Sequence, residues 1–147
     1  MFNFVVRYLN FLRSVPLLPI LFDSLLRLYN LIINPELMNC LDEIETEVLS
    51  WAGTCTCLHK YGGLQFNFLG KEIGHIHSNG ILDIRFNRQT KHQLMRDGKI
   101  EDHHVFASSG WISFSIKKRN DCTYAKELLR MSYLRKNGLA PKRYPEC

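Results

Sequence analysis

The sequence predicts an α+β domain in which an antiparallel β-meander of four to five strands carries helices on one face, preceded by an apolar helical arm. Three observations predict it. Apolar and polar residues alternate with period two through most of residues 54–86 and again over 111–116. Apolar stripes at helical spacing precede and follow those runs, in residues 35–49 and 120–133. Asn79-Gly80 stands between two alternating runs, where a hairpin turn needs positive φ.

The arm comprises residues 1–33. Phe2, Phe4, Val5, Val6, Leu9, Phe11 and Leu12 crowd its start among Arg7 and Arg13, and a helical run follows from Ser24 to Ile33. The uncharged stretch between Arg13 and Asp23 is shorter than the roughly 20 residues a membrane span requires and contains two prolines. A basic start, apolar core and small-residue cleavage site do not combine into a secretory signal. The arm is therefore expected either to lie in a membrane interface or to pack on the domain or on a protein partner. The expected setting is cytoplasmic, with the arm as the site of any membrane association.

The domain proper spans 34–136. Asn34 caps a helix with Pro35 at its first position and Glu36 in its first turn. Leu37, Cys40, Leu41, Ile44, Val48 and Leu49 form its inward stripe. Strands follow over Thr54–Tyr61, Leu64–Phe68 and the two arms of the central hairpin. A short helix from Arg88 to Arg96 ends at Asp97-Gly98. Trp111–Ile116 is the fifth strand, and Asn120-Asp121 caps a last helix that turns Ala125, Leu128, Leu129, Ser132 and Tyr133 inward. The expected core joins Leu64, Phe66, Phe68, Ile112 and Phe114 to Leu128 and Leu129. Residues 137–147 read as a loose tail.

Among 147 residues, 46% are apolar and 22% charged, which excludes a disordered chain. Of the net charge of +5, the basic excess falls in residues 71–136. Lys91, Arg96, Lys99, Lys117, Lys118 and Arg119 are the residues a nucleic-acid surface would use, the third-ranked class of partner. Five cysteines at irregular spacing are too sparse for a disulfide scaffold and read as reduced. Gly62-Gly63 is a strand-end turn, since no helix start follows it to cradle a phosphate.

The segments His59-Lys-Tyr-Gly-Gly63, Gly74-His-Ile-His77, His103-His-Val-Phe106 and Ser109-Gly-Trp-Ile-Ser-Phe114 resemble, in order and spacing, the luciferase-domain family over roughly residues 45–135. The resemblance implies a small α+β domain and marks the histidine segments as its distinctive positions. No flavin or nucleotide motif accompanies it. The order of elements is also similar to the MmcQ/YjbR group, whose fold has been linked to nucleic-acid binding.

Five of the six histidines fall in those segments. His75 and His77, one residue apart on a strand, project from one face and can ligate one metal. The candidate ligand-binding residues are His59, His75, His77, Asp83, His103, His104 and Trp111. The candidate metal set is His75, His77 and His103, for a divalent transition metal, with Asp83 or Asp102 as carboxylate. Two registers are open. A two-residue Asn79-Gly80 turn sets His75 opposite Ile84 and His77 opposite Leu82; a three-residue Ser78–Gly80 loop sets His75 opposite Asp83. The functional expectation is a domain that binds a small molecule at the histidines. The alternatives are a metal-dependent or acid–base enzyme using the same residues, or a nucleic-acid-binding module.

Overall fold

The computed structural model describes residues 17–138. The first half of the arm and the tail beyond 138 lie outside the described residues. Among the described residues are four helices, α1 (Leu18–Ile33), α2 (Pro35–Leu49), α3 (Arg88–Arg96) and α4 (Arg119–Asn137). Six strands, β1 (Thr54–Leu58), β2 (Leu64–Phe68), β3 (Lys71–Ile76), β4 (Ile81–Arg85), β5 (Glu101–Asp102) and β6 (Trp111–Ser115), form one open antiparallel sheet in the order β1-β2-β3-β4-β6-β5. The expected α+β class and meander are present. The additional strand, β5, is only two residues long and gives no periodic signal of its own.

The first helix begins at Leu18 rather than Ser24, because Pro19 sits in its first turn, where a missing N–H costs nothing. The Asn34 side chain accepts the Leu37 N–H at 3.2 Å, so the cap read from Asn34-Pro35 is formed. The last helix starts at Arg119, and the Asp121 carboxylate accepts the N–H groups of Lys117 and Lys118 ahead of it.

Helices α2 and α4 pack against each other and cover one face of the sheet. Leu37, Leu41, Ile44 and Val48 of α2 and Ala125, Leu128, Leu129 and Tyr133 of α4 are buried there. They meet Phe66, Leu82, Ile84, Ile112 and Phe114 from the strands. Leu49, expected inside, is 46% exposed. The other expected core residues are buried, with Leu64 partly so. Cys40, Cys57 and Cys122 are free thiols, whereas Cys55 is disulfide-bonded, against the expectation of reduced cysteines throughout.

The central hairpin takes the three-residue form. His77 N–H donates to Ile81 O and Gly80 N–H to His77 O, both at 2.9 Å, with Gly80 at φ +84°. His75 therefore pairs with Asp83 and Ile76 with Leu82. The opposite strand edge is irregular: Phe66 pairs with Gly74 but Asn67 with Glu72, leaving Ile73 as a bulge.

Candidate functional site

The bulge at Ile73 changes the phase of β3, so Glu72 and His75, three residues apart, share the face turned away from α2 and α4. On that face the register aligns Gln65, His75, Asp83 and Ser113 across four strands. His77 follows where β3 ends, and His59 follows β1 at the tight turn through Gly62-Gly63. His103 arrives from the loop after β5.

That loop is held by Lys91 of α3. Its ammonium donates to the carbonyls of Ala107 (2.7 Å), Ser109 (3.1 Å) and Trp111 (3.0 Å) and pairs with Asp102 at 2.5 Å. Lys91 is thus buried and internally satisfied, not part of an exposed basic surface, and Asp102 is turned to Lys91 rather than to the histidines. Arg119 is likewise paired, with Glu43 at 2.5 Å.

Asp83 is the centre of the cluster, 1% exposed. Ser113 Oγ donates to its Oδ1. Among the described residues its Oδ2 has no hydrogen-bond partner, yet it faces three imidazole Nε2 atoms, of His75 at 3.5 Å and of His77 and His103 at 3.7 Å. Two further carboxylates stand behind the rings. Glu72 Oε1 accepts from His75 Nδ1 at 2.6 Å, and Asp23 Oδ1 lies 3.8 Å from His77 Nδ1. Asp23 comes from α1 and is fixed by Ser78, whose N–H and hydroxyl both donate to it.

His59 stacks on His75 with centroids 3.7 Å apart and planes 12° from parallel, and its buried Nδ1 has no hydrogen-bond partner among the described residues. His59, His75 and His77 each bring one possible donor atom within 4.8 Å of the others. Trp111 lies tilted against His75 and His103, at centroid distances of 5.7 and 5.6 Å. Exposed His104 stacks on the outer side of His103 at 4.5 Å, where an extended chain would have pointed the two apart.

The protonation states differ sharply. Burial disfavours His75 as a cation, but Asp83 and Glu72 on its two nitrogens outweigh that and raise its pKa. Burial followed by the charge of His75 pushes His59 down to about 4. Burial also lowers His103, against the pull of Asp83. Burial would raise the carboxyls of Asp83, Glu72 and Asp23. The neighbouring His75 and the Ser113 hydroxyl at Asp83, His75 at Glu72, and His77 with the Ser78 N–H and hydroxyl at Asp23 overcome it and hold all three below their ordinary values.

Tautomers separate the histidines further. His103 Nδ1 accepts the N–H groups of Val105 (3.1 Å) and Phe106 (3.3 Å), so its neutral ring carries the proton on Nε2, which faces Asp83 Oδ2 from 3.7 Å, beyond hydrogen-bond reach. His75, whose Nδ1 donates to Glu72, keeps its Nε2 lone pair when neutral.

The site thus gathers His59, His75, His77, Asp83, His103 and Trp111, with His104 at its outer edge. Sequence reasoning missed Asp23, Glu72, Ser113 and Lys91. Ser113 was within reach of the β6 alternation once the strand order was known. Glu72 was hidden by the bulge, and Asp23 carried only the signal of being the one acid in residues 1–33.

A family profile described as Luciferase domain matches residues 70–132, the stretch that supplies Glu72, His75, His77, Asp83, His103, Trp111 and Ser113. The resemblance read from the histidine segments is thereby found again over those residues. No curated protein and no solved structure matches the chain. No helix among the described residues is long and apolar enough to cross a membrane.

Proposed function

We propose that the polar sheet face is a mononuclear site for a divalent transition metal, held by His75, His77 and Asp83, at which a small polar molecule binds. The observation that carries this reading is the buried Asp83 Oδ2, which lacks a hydrogen-bond partner while His75 and His77 direct Nε2 atoms at it from 3.5 and 3.7 Å. Those separations are long for hydrogen bonds. They approach the ligand–ligand edge of about 3.3–3.4 Å that a tetrahedron with bonds of about 2.0–2.1 Å requires.

The surroundings support it. Glu72 behind His75 and Asp23 behind His77 are the carboxylate partners that commonly orient metal-binding imidazoles. His59 is near enough to join as a further nitrogen donor. His103 leaves the ligand set suggested by spacing, because its Nδ1 accepts two backbone N–H groups and its Nε2 carries the proton. Three protein donors leave a position for water or for an oxygen of the bound molecule, with Trp111 as a neighbouring wall. A metal there would supply Lewis acidity.

The 2.6 Å Glu72–His75 pair also supports a metal-free reading, in which His75 Nε2 serves as a general base.

Calorimetric titration of chelator-treated full chain with zinc tests the proposal. The expected result is one site per chain, with Asp83→Asn and His77→Ala each losing at least about tenfold in affinity, as loss of a metal ligand demands. His103→Gln should retain zinc with weaker affinity. A parent chain that binds no zinc, or an Asp83→Asn variant that binds it unchanged, would leave the acid–base reading in its place.

A further inference from the structure

We propose that the outward face of α1 docks on an anionic lipid bilayer surface. The helix is mounted inside out relative to an ordinary surface helix. Two polar residues face the protein: Asn30, buried, donates to Ser78 O at 2.8 Å, and Asp23 accepts twice from Ser78. Arg27, itself exposed, pairs with Asp42 at 3.2 Å. Leu18, Ile20 and Leu26 are half-buried, and most other apolar residues of the helix face away.

Leu17, Leu21, Leu25, Leu28 and Ile32 recur at helical spacing along one line, and each is between 56% and 81% exposed. Phe22 and Tyr29 widen the strip. A contiguous apolar face of this kind marks a contact surface rather than ordinary exposure.

The fit at Gly62 shows that the mounting is specific. A Cβ there would come within 2.6 Å of Asp23 Cβ and 2.8 Å of Pro19 O, so the β1–β2 turn accepts α1 only with glycine at that position.

Charge selects the occupant. Asp23 is the one acid in residues 1–33, and it is drawn into the histidine site. Of the remaining charges in residues 1–33, Arg27 is paired with Asp42, which leaves Arg7 and Arg13 in the sequence just ahead of the helix, a stretch rich in Phe, Val and Leu. A cationic apolar segment continuous with an outward apolar helix suits the interface of a membrane bearing anionic headgroups. With 16 residues the helix lies along such a surface rather than across it. Because Asp23 sits on the opposite side of the same helix, docking would hold the histidine face close to the bilayer.

The test is cosedimentation of the full chain with phosphatidylcholine vesicles and with vesicles containing phosphatidylserine, at low and high salt. Binding is expected to the anionic vesicles and to weaken with salt. Leu25→Glu and Leu28→Glu should each cut it about tenfold or more, the loss expected on removing one buried leucine, with thermal unfolding unchanged. Absence of binding to either vesicle overturns the proposal, as does equal binding by both variants. Equal affinity for both vesicles overturns the choice of an anionic surface. A dimer that both variants dissociate, without vesicle binding, assigns the face to a second copy. Variants that melt well below the parent assign it to internal packing, by residues 1–16 of the same chain.

Discussion

The two faces of the sheet are built from the same strands, one residue out of step. Leu64, Ile76, Leu82 and Phe114 form one cross-strand row; Gln65, His75, Asp83 and Ser113 form the next. The first row lies under α2 and α4 and is stabilised by apolar area removed from water, which depends on volume and hardly on direction. The second row, nearly as deeply buried at His75 and Asp83, works by direction: which nitrogen carries a proton and which oxygen has a donor. Burial alone therefore does not distinguish the two rows. Unmet polar capacity does.

The comparison makes different demands on substitutions, beginning with the largest. Phe66, fully buried under the helices, should cost about 3–5 kcal/mol when cut to alanine. That is a large part of a small domain's stability, and denaturant unfolding will measure it. A Phe66→Ala protein with the parent's midpoint would mean that the helix-covered row is not the core.

On the other face, Ser113→Ala removes few atoms but leaves Asp83 Oδ1 buried without its donor. A loss of about 1–3 kcal/mol is expected in the metal-free protein, well beyond what the lost area accounts for. A near-neutral result by chemical denaturation would show that Asp83 is not held through Ser113, and would erase the contrast between the rows.

Zinc sharpens the contrast from the other side. At a free concentration one hundred times its dissociation constant, it should stabilise the parent by about 2.7 kcal/mol. The same zinc-dependent increment should survive in a conservative core variant such as Ile84→Val and fall by at least about half in Asp83→Asn, as a tenfold loss of affinity implies. Equal increments in both would place zinc outside the polar row.

The smallest expected effect is a pH dependence through His59. Its pKa falls from 6.5 unfolded to about 4 folded, so between those values the unfolded chain binds more protons. The contribution of neutral His59 is present above about 6.5 and is lost as pH falls toward 4. Metal-free His59→Gln should consequently lose less stability than the parent over that window, measured by thermal unfolding at successive pH values. Parallel curves would show that His59 is not buried as a neutral ring. His75 acts in the opposite sense: its raised pKa adds stability below the unfolded value that fades as pH rises through the folded one, so the comparison must hold His75 constant.

How far the sequence could be read follows the range of the forces involved. Periodicity and caps reach over a few residues, and they sufficed for the Asn34-Pro35 helix start, the meander, the central hairpin and the inward stripe of α4. They also marked His75 and His77 as neighbours on one face. The two-residue β5 was too short to show a period, and the bulge that brings Glu72 beside His75 depends on how β2 and β3 pair. Lys91 looked like any surface lysine, because the carbonyls it binds lie on a loop 16 to 20 residues away.

What the sequence determined by itself was the kind of domain and the histidines that gather on its polar face, since alternation, helical spacing and side-chain type are local properties of the chain. What only the tertiary structure decided was their convergence: the hairpin register that opposes His75 to Asp83, the turn of α1 that adds Asp23 from 55 residues before Ser78, and the proton position on His103. Each depends on contacts between segments distant in sequence. Such contacts are selected by the fit of whole elements against one another, a fit that no window along the chain contains.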